Sequence, residues 1–349
     1  MPGNNDKPRL ALSRRKLLAS SGKLALGGAA LSALGPISGA FAANKIYQWG
    51  SASLGSTGYV IITALAAAVN KFSDPKLRNS SLSTAGGAEN MALIGEGVLD
   101  FAQTTSTDWL PATTGTGRYE GSPVKVMQMF SYTAWNLSPM VRADSGIKTL
   151  ADLEGRKVMP ASAGGATTGM WHTLFKAAGL FDKVDWTYGS WTETYNAIKS
   201  GAADCIPILL TNGRPSPRVT ELESTGIGMH VLDIPEDVVT KAQQMNPGLL
   251  SAVVPAEATK LLDKPTRLLA LGGVLGVHPS VPEDIAYNVT KSILDNAKFI
   301  QGKGVQLQDV SIEFAARHLI PDYPVHPGAA RYLKEKGVWR DELKIGTVG

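Results

Sequence analysis

Short apolar runs and stretches of helical apolar spacing alternate along most of the chain. Residues 45–49 form a run typical of a strand, the Gly/Ser-rich residues 50–58 form a loop, and residues 59–72 carry Ala, Leu, Ile and Val at helical spacing. The same order of strand, loop and helix recurs over residues 81–96 and residues 157–179. Strands that alternate with helices predict a mainly parallel α/β sheet.

Two of these units share a loop of small residues that leads directly into a helix. The loops are residues 50–58 and residues 161–169. Ligands of open α/β sheets bind at the carboxyl ends of the strands, where helix N–H groups and the positive end of the helix dipole favour anions. The sequence therefore predicts two lobes whose loops face one cleft, and a preference for a carboxylate-like ligand.

The N-terminal 42 residues have a different pattern from the rest. Arg14 and Arg15 precede a mildly apolar, Ala/Gly-rich stretch over residues 24–34, which is followed by small residues at 40–42. This tripartite pattern predicts an export signal, and the paired arginines indicate the twin-arginine route. Gly, Ser and Pro interrupt the stretch, whereas a membrane anchor needs about 20 mostly apolar residues. We expect cleavage after Ala42 and a mature protein in the periplasm.

Charge is concentrated in the same N-terminal region. The whole chain has a formal net charge of +4, but the first 42 residues hold six basic residues and one acidic residue, which leaves 28 Lys and Arg against 29 Asp and Glu. A nucleic-acid partner is therefore not expected, because such proteins concentrate positive charge where phosphates bind. Cys205 is the single cysteine, so no disulfide within the chain can form.

Motifs for metal or cofactor chemistry are absent from the sequence. There is no Gly-x-Ser-x-Gly nucleophile elbow, no complete dinucleotide fingerprint and no Walker-type phosphate loop. We therefore expect no cofactor, no bound metal and no catalytic residue. The histidines lie without metal-ligand spacing, at His172, His230, His278, His318 and His326.

Six segments, in this order along the chain, resemble the TAXI family, the solute receptors of one branch of tripartite ATP-independent periplasmic (TRAP) transporters. They are residues 50–59, 84–90, 144–155, 164–167, 212–217 and 326–332. The resemblance covers nearly the whole mature chain. The chain departs from the family pattern at Leu54, Ser56 and Gly58, where the family usually has Pro, Gly and Tyr, and at Gly165 and Ala166 in the later loop.

The resemblance implies a two-lobed, type II periplasmic-binding-protein-like fold with a ligand cleft between the lobes. Lobe I would comprise residues 43–136 plus 268–349, and lobe II residues 137–267. The resemblance also implies a receptor, not an enzyme, that closes on a small organic acid such as glutamate, glutamine or 2-oxoglutarate. Its partners would be that ligand and the membrane subunits of a TRAP transporter.

Candidate ligand-binding residues lie mostly in the small-residue loops. Hydroxyls and glycines at helix starts can hold carboxylate oxygens beside backbone N–H groups, although the same residues also serve as helix caps and turn formers. Trp135 can cover a carbon skeleton or pack in the core, and Arg214 can bind a carboxylate or remain solvated. The full set is Ser51, Ser53, Thr57, Tyr59, Gly86, Gly87, Trp135, Gly164, Gly165, Thr167, Thr168, Asn212 and Arg214.

Two other functions agree with the same residues. The first is an exported α/β enzyme that acts on a small carboxylic acid in the cleft, which requires a nucleophile paired with a base. The second is a ligand sensor for a signalling partner. The sequence leaves open the exact ligand, the presence of an amino group on it, the oligomeric state, and the choice between transport and sensing.

Overall fold

The computed structural model describes residues 45–349, so the predicted export signal at residues 1–42 lies outside the described residues. The strands are β1 (Ile46–Gly50), β2 (Arg78–Leu82), β3 (Phe101–Thr105), β4 (Met127–Arg142), β5 (Lys157–Val158), β6 (Asp185–Trp186), β7 (Cys205–Thr211), β8 (Arg214–Pro215), β9 (Met229–Val231), β10 (Leu250–Val254) and β11 (Thr266–Val277). The helices are α1 (Thr57–Phe72), α2 (Gly87–Gly95), α3 (Trp109–Thr114), α4 (Ala166–Ala177), α5 (Trp191–Ser200), α6 (Pro217–Ser224), α7 (Glu236–Met245), α8 (Glu283–Leu294), α9 (Ala297–Gln301) and α10 (Pro327–Glu335).

One mixed sheet organises the described chain, in the order β2-β1-β3-β11-β4-β7-β5-β6. β1 pairs in parallel with β2 and β3 at one end, and β5 pairs in parallel with β6 and β7 at the other. The prediction of an α/β fold is confirmed. The sheet is not mainly parallel, however, because β11 and β4 in its centre pair antiparallel with each other and with β3 and β7.

The antiparallel centre follows from the path of the chain. β4 is 16 residues long and pairs with β11 along its first part and with β7 along its second part. The 12-residue β11 runs back beside it. The chain crosses from the first parallel half-sheet to the second on β4 and returns on the neighbouring β11. The two strands therefore run in opposite directions. The predicted lobe boundaries, at 136/137 and 267/268, fall within these two strands and stay predictions.

Aromatic side chains fill the core against both parallel half-sheets. Trp49 and Phe101 of neighbouring strands have ring centroids 4.8 Å apart, and both side chains are fully buried. In the other half, Trp171 stacks on Phe175 within α4, with ring centroids 5.6 Å apart. Such rings bury large apolar areas, and all four belong to one continuous hydrophobic core that extends from one half-sheet to the other. Within residues 45–349, no helix is long and apolar enough to cross a membrane.

A buried carboxylate ties the segment after α9 to the centre of the sheet. The Asp309 side chain is 6% exposed and accepts hydrogen bonds from Thr133 Oγ1 on β4 at 2.8 Å and from Asn212 Nδ2 at 3.0 Å. Arg214 Nη2 completes the group at 2.6 Å. Asn212 and Gly213 form the two-residue turn between β7 and β8, with φ angles of 45° and 78°, as a tight antiparallel hairpin requires. This turn presents Asn212 and Arg214 to Asp309.

We expect Asp309→Asn to lower the free energy of unfolding by about 1 to 3 kcal/mol, because the amide loses the charge that Arg214 pairs with and places an N–H group among donors. Urea unfolding measures the change. The matched control is Asp322→Asn, which removes an exposed carboxylate 3.8 Å from Lys344 Nζ and should change stability by less than about 0.5 kcal/mol. Equal effects of the two substitutions would contradict the role given to Asp309.

Candidate functional site

A cavity of about 50 Å³ lies where the N-terminal ends of α1, α2 and α4 converge. The three helices belong to both parallel half-sheets, since α1 and α2 follow β1 and β2 whereas α4 follows β5. The lining residues are Ala52, Ser53, Ser56, Thr57, Gly58, Ala85, Gly86, Gly87, Gln103, Thr105, Trp135, Ala161, Ser162, Gly165, Ala166, Thr167, Trp191, Leu209 and Leu271.

The start of α1 forms the first wall of the cavity. Ser56 is the N-cap, and its Oγ accepts a hydrogen bond from Tyr59 N at 3.1 Å. Thr57 and Gly58, the first two residues of the helix, line the cavity, and N–H groups in the first turn of a helix have no partner within the helix. Trp135 Nε1 donates to Thr57 Oγ1 at 2.9 Å, so the Thr57 hydroxyl keeps its own hydrogen available for another acceptor.

The start of α2 forms the second wall, and its glycines are required there. Gly86, the N-cap, has a φ angle of 109°, which L side chains rarely adopt. A Cβ on Gly87 would lie 1.9 Å from Asp108 Oδ2. Both positions therefore exclude larger side chains, and the backbone of this helix start borders the cavity directly.

The start of α4 forms the third wall. Thr167 lines the cavity, whereas its neighbour Thr168 is buried and donates from Oγ1 to the Ser162 carbonyl at 2.7 Å. Ala161, in the loop before the helix, has a φ angle of 104°, although it is not a glycine. Backbone strain of this kind is concentrated at functional sites in proteins, where the surrounding structure holds it in place.

Most of the predicted loop residues lie at this cavity. Those that line it are Ser53, Thr57, Gly86, Gly87, Trp135, Gly165 and Thr167. Contact of these residues with a ligand stays a prediction.

The other predicted residues lie elsewhere. Ser51 Oγ donates to the Leu82 carbonyl at 2.6 Å, which joins the loop after β1 to β2. Tyr59 and Thr168 follow the lining residues within their helices, and Gly164 borders a neighbouring groove. Asn212 and Arg214 are held by Asp309, as described above. The positions of Ser51, Asn212 and Arg214 are thus set by hydrogen bonds to residues that are distant in the sequence.

Sequence reasoning missed Gln103, Thr105 and Trp191. Gln103 and Thr105 lie on β3, a five-residue strand that is buried throughout. A glutamine inside such a strand was the available signal, since a buried amide needs a specific partner. Trp191 begins α5 after the capping box formed by Ser190 and Glu193, and nothing in its own surroundings in the sequence marks it as a cavity residue.

The lining residues of the described chain carry no formal charge. Two acids lie near the start of α2: Glu89, in its first turn, accepts a hydrogen bond from Ala85 N, and Asp108 lies behind Gly87. Burial raises the pKa of Asp108 from 3.8 to about 6, although Oδ2 accepts hydrogen bonds from Thr105 N at 2.7 Å and Thr105 Oγ1 at 2.9 Å. Helix N–H groups, hydroxyls and one amide therefore dominate the polarity of the cavity.

Two parallel half-sheets are joined by long crossing strands, and helix starts from both halves surround one cavity. This combination defines the two-lobed periplasmic-binding-protein class of α/β fold. Residues 49–337 match the NMT1-like family, and the chain belongs to that family.

Solved structures with this likeness include a protein from Bordetella bronchiseptica RB50, at 18% identity and a TM-score of 0.50, with 88% of this chain and 93% of that chain covered. This likeness shows a shared fold. Weaker likenesses include the periplasmic aliphatic sulphonate binding protein SsuA from Escherichia coli (16% identity, TM-score 0.38, 76% and 72% covered). A TRAP periplasmic solute binding protein from Sulfitobacter sp. NAS-14.1 is another (13% identity, TM-score 0.43, 74% and 81% covered).

We expect Asp108→Asn to make the protein more stable at pH 7 and to leave its stability unchanged near pH 4. A carboxyl whose pKa is raised on folding binds its proton more tightly in the folded state, so Asp108 reduces the free energy of unfolding by roughly 3 kcal/mol as the pH rises from about 4 to about 6. The asparagine keeps an oxygen acceptor for Thr105 and carries no charge.

Urea unfolding of both proteins at pH 4, 5, 6 and 7 measures this difference. Burial lowers the pKa of His318 to about 4, which acts in the opposite direction, but it acts equally in both proteins and cancels in the comparison. Asp182→Asn, at an exposed position, is the control. A stability difference that does not vary with pH would contradict the buried, protonatable state of Asp108.

Proposed function

We propose that this protein is an extracytoplasmic solute-binding receptor that captures a small organic acid and delivers it to the membrane component of a TRAP transporter. The observation that carries the proposal is the convergence of three helix starts from both halves of the sheet on one cavity. N–H groups and dipoles at helix starts favour anions, and the hydroxyls of Thr57 and Thr167 add donors. The expected ligand is a carboxylate of the glutamate or 2-oxoglutarate kind.

Capture is proposed to occur by closure of the two lobes around the ligand. β4 and β11 are the long strands that connect the two half-sheets, and strands at such a junction allow hinge motion. One contact between the two predicted lobes supports a closed form: Arg118 Nη1 donates to the Gly164 carbonyl at 3.4 Å. The six-segment resemblance to the TAXI family supports a TRAP transporter as the partner.

The proposal includes no chemical change of the ligand. A hydrolase would need a nucleophile and a base at the cavity. A hydroxyl and an imidazole do meet at Ser280 Oγ and His278 Nδ1, 2.7 Å apart, but these residues lie in an exposed turn and do not line the cavity. Cys205 is fully buried, and burial raises the pKa of its thiol far above the ordinary value, which disfavours the reactive thiolate.

We expect a small carboxylate at 100 times its dissociation constant to stabilise the protein by about 2.7 kcal/mol, and Thr167→Val to weaken its binding by about 5- to 150-fold through loss of a donor at the start of α4. A thermal-shift screen over amino acids, 2-oxo acids and dicarboxylates finds the ligand, and calorimetric titration measures the affinity of both proteins.

The matched control is Thr173→Val in the same helix, because Thr173 Oγ1 donates to the Gly169 carbonyl at 3.1 Å and does not line the cavity. Recovery of the ligand unchanged after prolonged incubation is expected. Conversion of the ligand to a product would contradict the proposed receptor function. An affinity of Thr167→Val equal to that of the parent would contradict ligand binding by the start of α4.

We expect the double substitution Arg14→Lys, Arg15→Lys to hold the precursor in the cytoplasm, because the twin-arginine route requires the arginine pair. Cell fractionation with detection of the precursor and the mature chain measures the outcome. Arg9→Lys changes a basic residue outside the pair and should leave export unchanged. Normal export of the double variant would contradict the twin-arginine route while leaving ligand capture unaffected.

A further inference from the structure

Gln103 is the one amide among the cavity-lining residues, and it lies between two helix starts. Its Oε1 is 2.0 Å, and its Nε2 3.0 Å, from the point that a Cβ on Gly58 would occupy. The same Nε2 is 3.9 Å from the corresponding point on Gly86. The amide group is therefore packed between the start of α1 and the start of α2.

The side chain of Gln103 is buried without a partner for its oxygen. The residue is 7% exposed, and Oε1 makes no hydrogen bond within the described chain. Its backbone is held in place, since the Gln103 carbonyl accepts a hydrogen bond from Asn90 Nδ2 at 2.8 Å. Oε1 is enclosed beside Gly58 without accessible surface, so the amide N–H is the polar group of this side chain that a ligand in the cavity can reach.

Gly58 creates the space that the amide occupies. Any side chain at position 58 would displace the Gln103 amide, because its Cβ would overlap sterically with Oε1. Position 58 is also a departure of this chain from the TAXI pattern, which usually has Tyr there. The absence of a side chain at Gly58 therefore leaves room for the neutral Gln103 amide at this cavity.

The electrical environment of the amide disfavours a cation. The N-terminal ends of α1 and α2 both carry positive dipole ends. Glu89, in the first turn of α2, accepts a hydrogen bond from Ala85 N, and no acidic side chain lines the cavity among the described residues. An ammonium group placed against Gln103 would lose its hydration without gaining a carboxylate partner. An oxo or hydroxyl oxygen can accept from the amide N–H, whereas an ammonium group cannot.

We infer that Gln103 selects acids that carry an oxo or hydroxyl group beside the carboxylate over the corresponding amino acids. The inference rests on the proposed capture of an organic acid and assigns the second recognition group on that acid. Gly58 is the positioning residue, because it gives the Gln103 amide its room.

Two series of ligands with matched carbon skeletons test this selection on the exported, mature protein. They are 2-oxoglutarate, 2-hydroxyglutarate and glutamate, and the three-carbon series pyruvate, lactate and alanine. Calorimetric titration gives the dissociation constants. In the series that binds, we expect the oxo or hydroxy acid to bind at least 30-fold more tightly than the amino acid.

Variants at position 103 connect this ratio to the amide. Gln103→Glu supplies the missing acidic partner, so the preference should fall at least 10-fold or reverse. Gln103→Met keeps the length of the side chain and removes its polarity, so the oxo or hydroxy acid should lose at least 10-fold in affinity. Gln244→Glu makes the same charge change at an exposed position outside the cavity and should leave the ratio unchanged.

The ratio of the two dissociation constants is measured within one protein, so a general loss of folded protein in a variant does not change it. An amino acid that binds the parent as tightly as its oxo counterpart overturns the selection while the proposed receptor function stands. An unchanged ratio in both Gln103→Glu and Gln103→Met overturns the assignment to Gln103. Absence of binding by every acid of both series and of the wider screen contradicts the proposed function itself.

Discussion

The antiparallel pairing of β4 with β11 is the constraint on which the rest of the structure depends. It joins the two parallel half-sheets and sets the place where their loops meet. Glycines in β11 make it compatible with the cavity: a Cβ on Gly273 would lie 2.9 Å from the Trp135 ring, and the register of the two strands shifts between Gly273 and Val274. The Trp135 ring thus packs against Gly273, and its Nε1 donates to Thr57 Oγ1 at the start of α1.

The cavity lining is neutral because the charged side chains nearby are bonded to other groups or lie behind the lining residues. Arg214, which the sequence offered as a carboxylate ligand, pairs with Asp309, and Asp108 is separated from the cavity by Gly87. Helix starts and hydroxyls are fixed dipoles, which bind an anion without the large desolvation cost of a buried ion pair. The arrangement suits a receptor, since binding must be strong enough for capture and weak enough for release.

The α/β class and most of the loops at the cavity were predictable from local pattern. Small residues before a helix mark a helix start, and the carboxyl ends of parallel strands bring such starts together, so Thr57, Gly86 and Thr167 were expected near one another. Gln103 and Trp191 were not expected, because each reaches the cavity from an element whose local sequence indicates only a buried strand or a capped helix.

The sequence by itself determined the alternation of strands and helices, the positions of the small-residue loops and the excess of basic residues in the first 42 positions, because each is a property of near neighbours in the chain. Only the tertiary structure decided that the sheet centre is antiparallel and that Asn212 and Arg214 bond to Asp309. It also placed the Gln103 amide in the space left by Gly58. All of these features join residues that lie at least 45 positions apart in the sequence. Their partners are selected by the geometry of packing and by the cost of leaving a buried polar group unpaired.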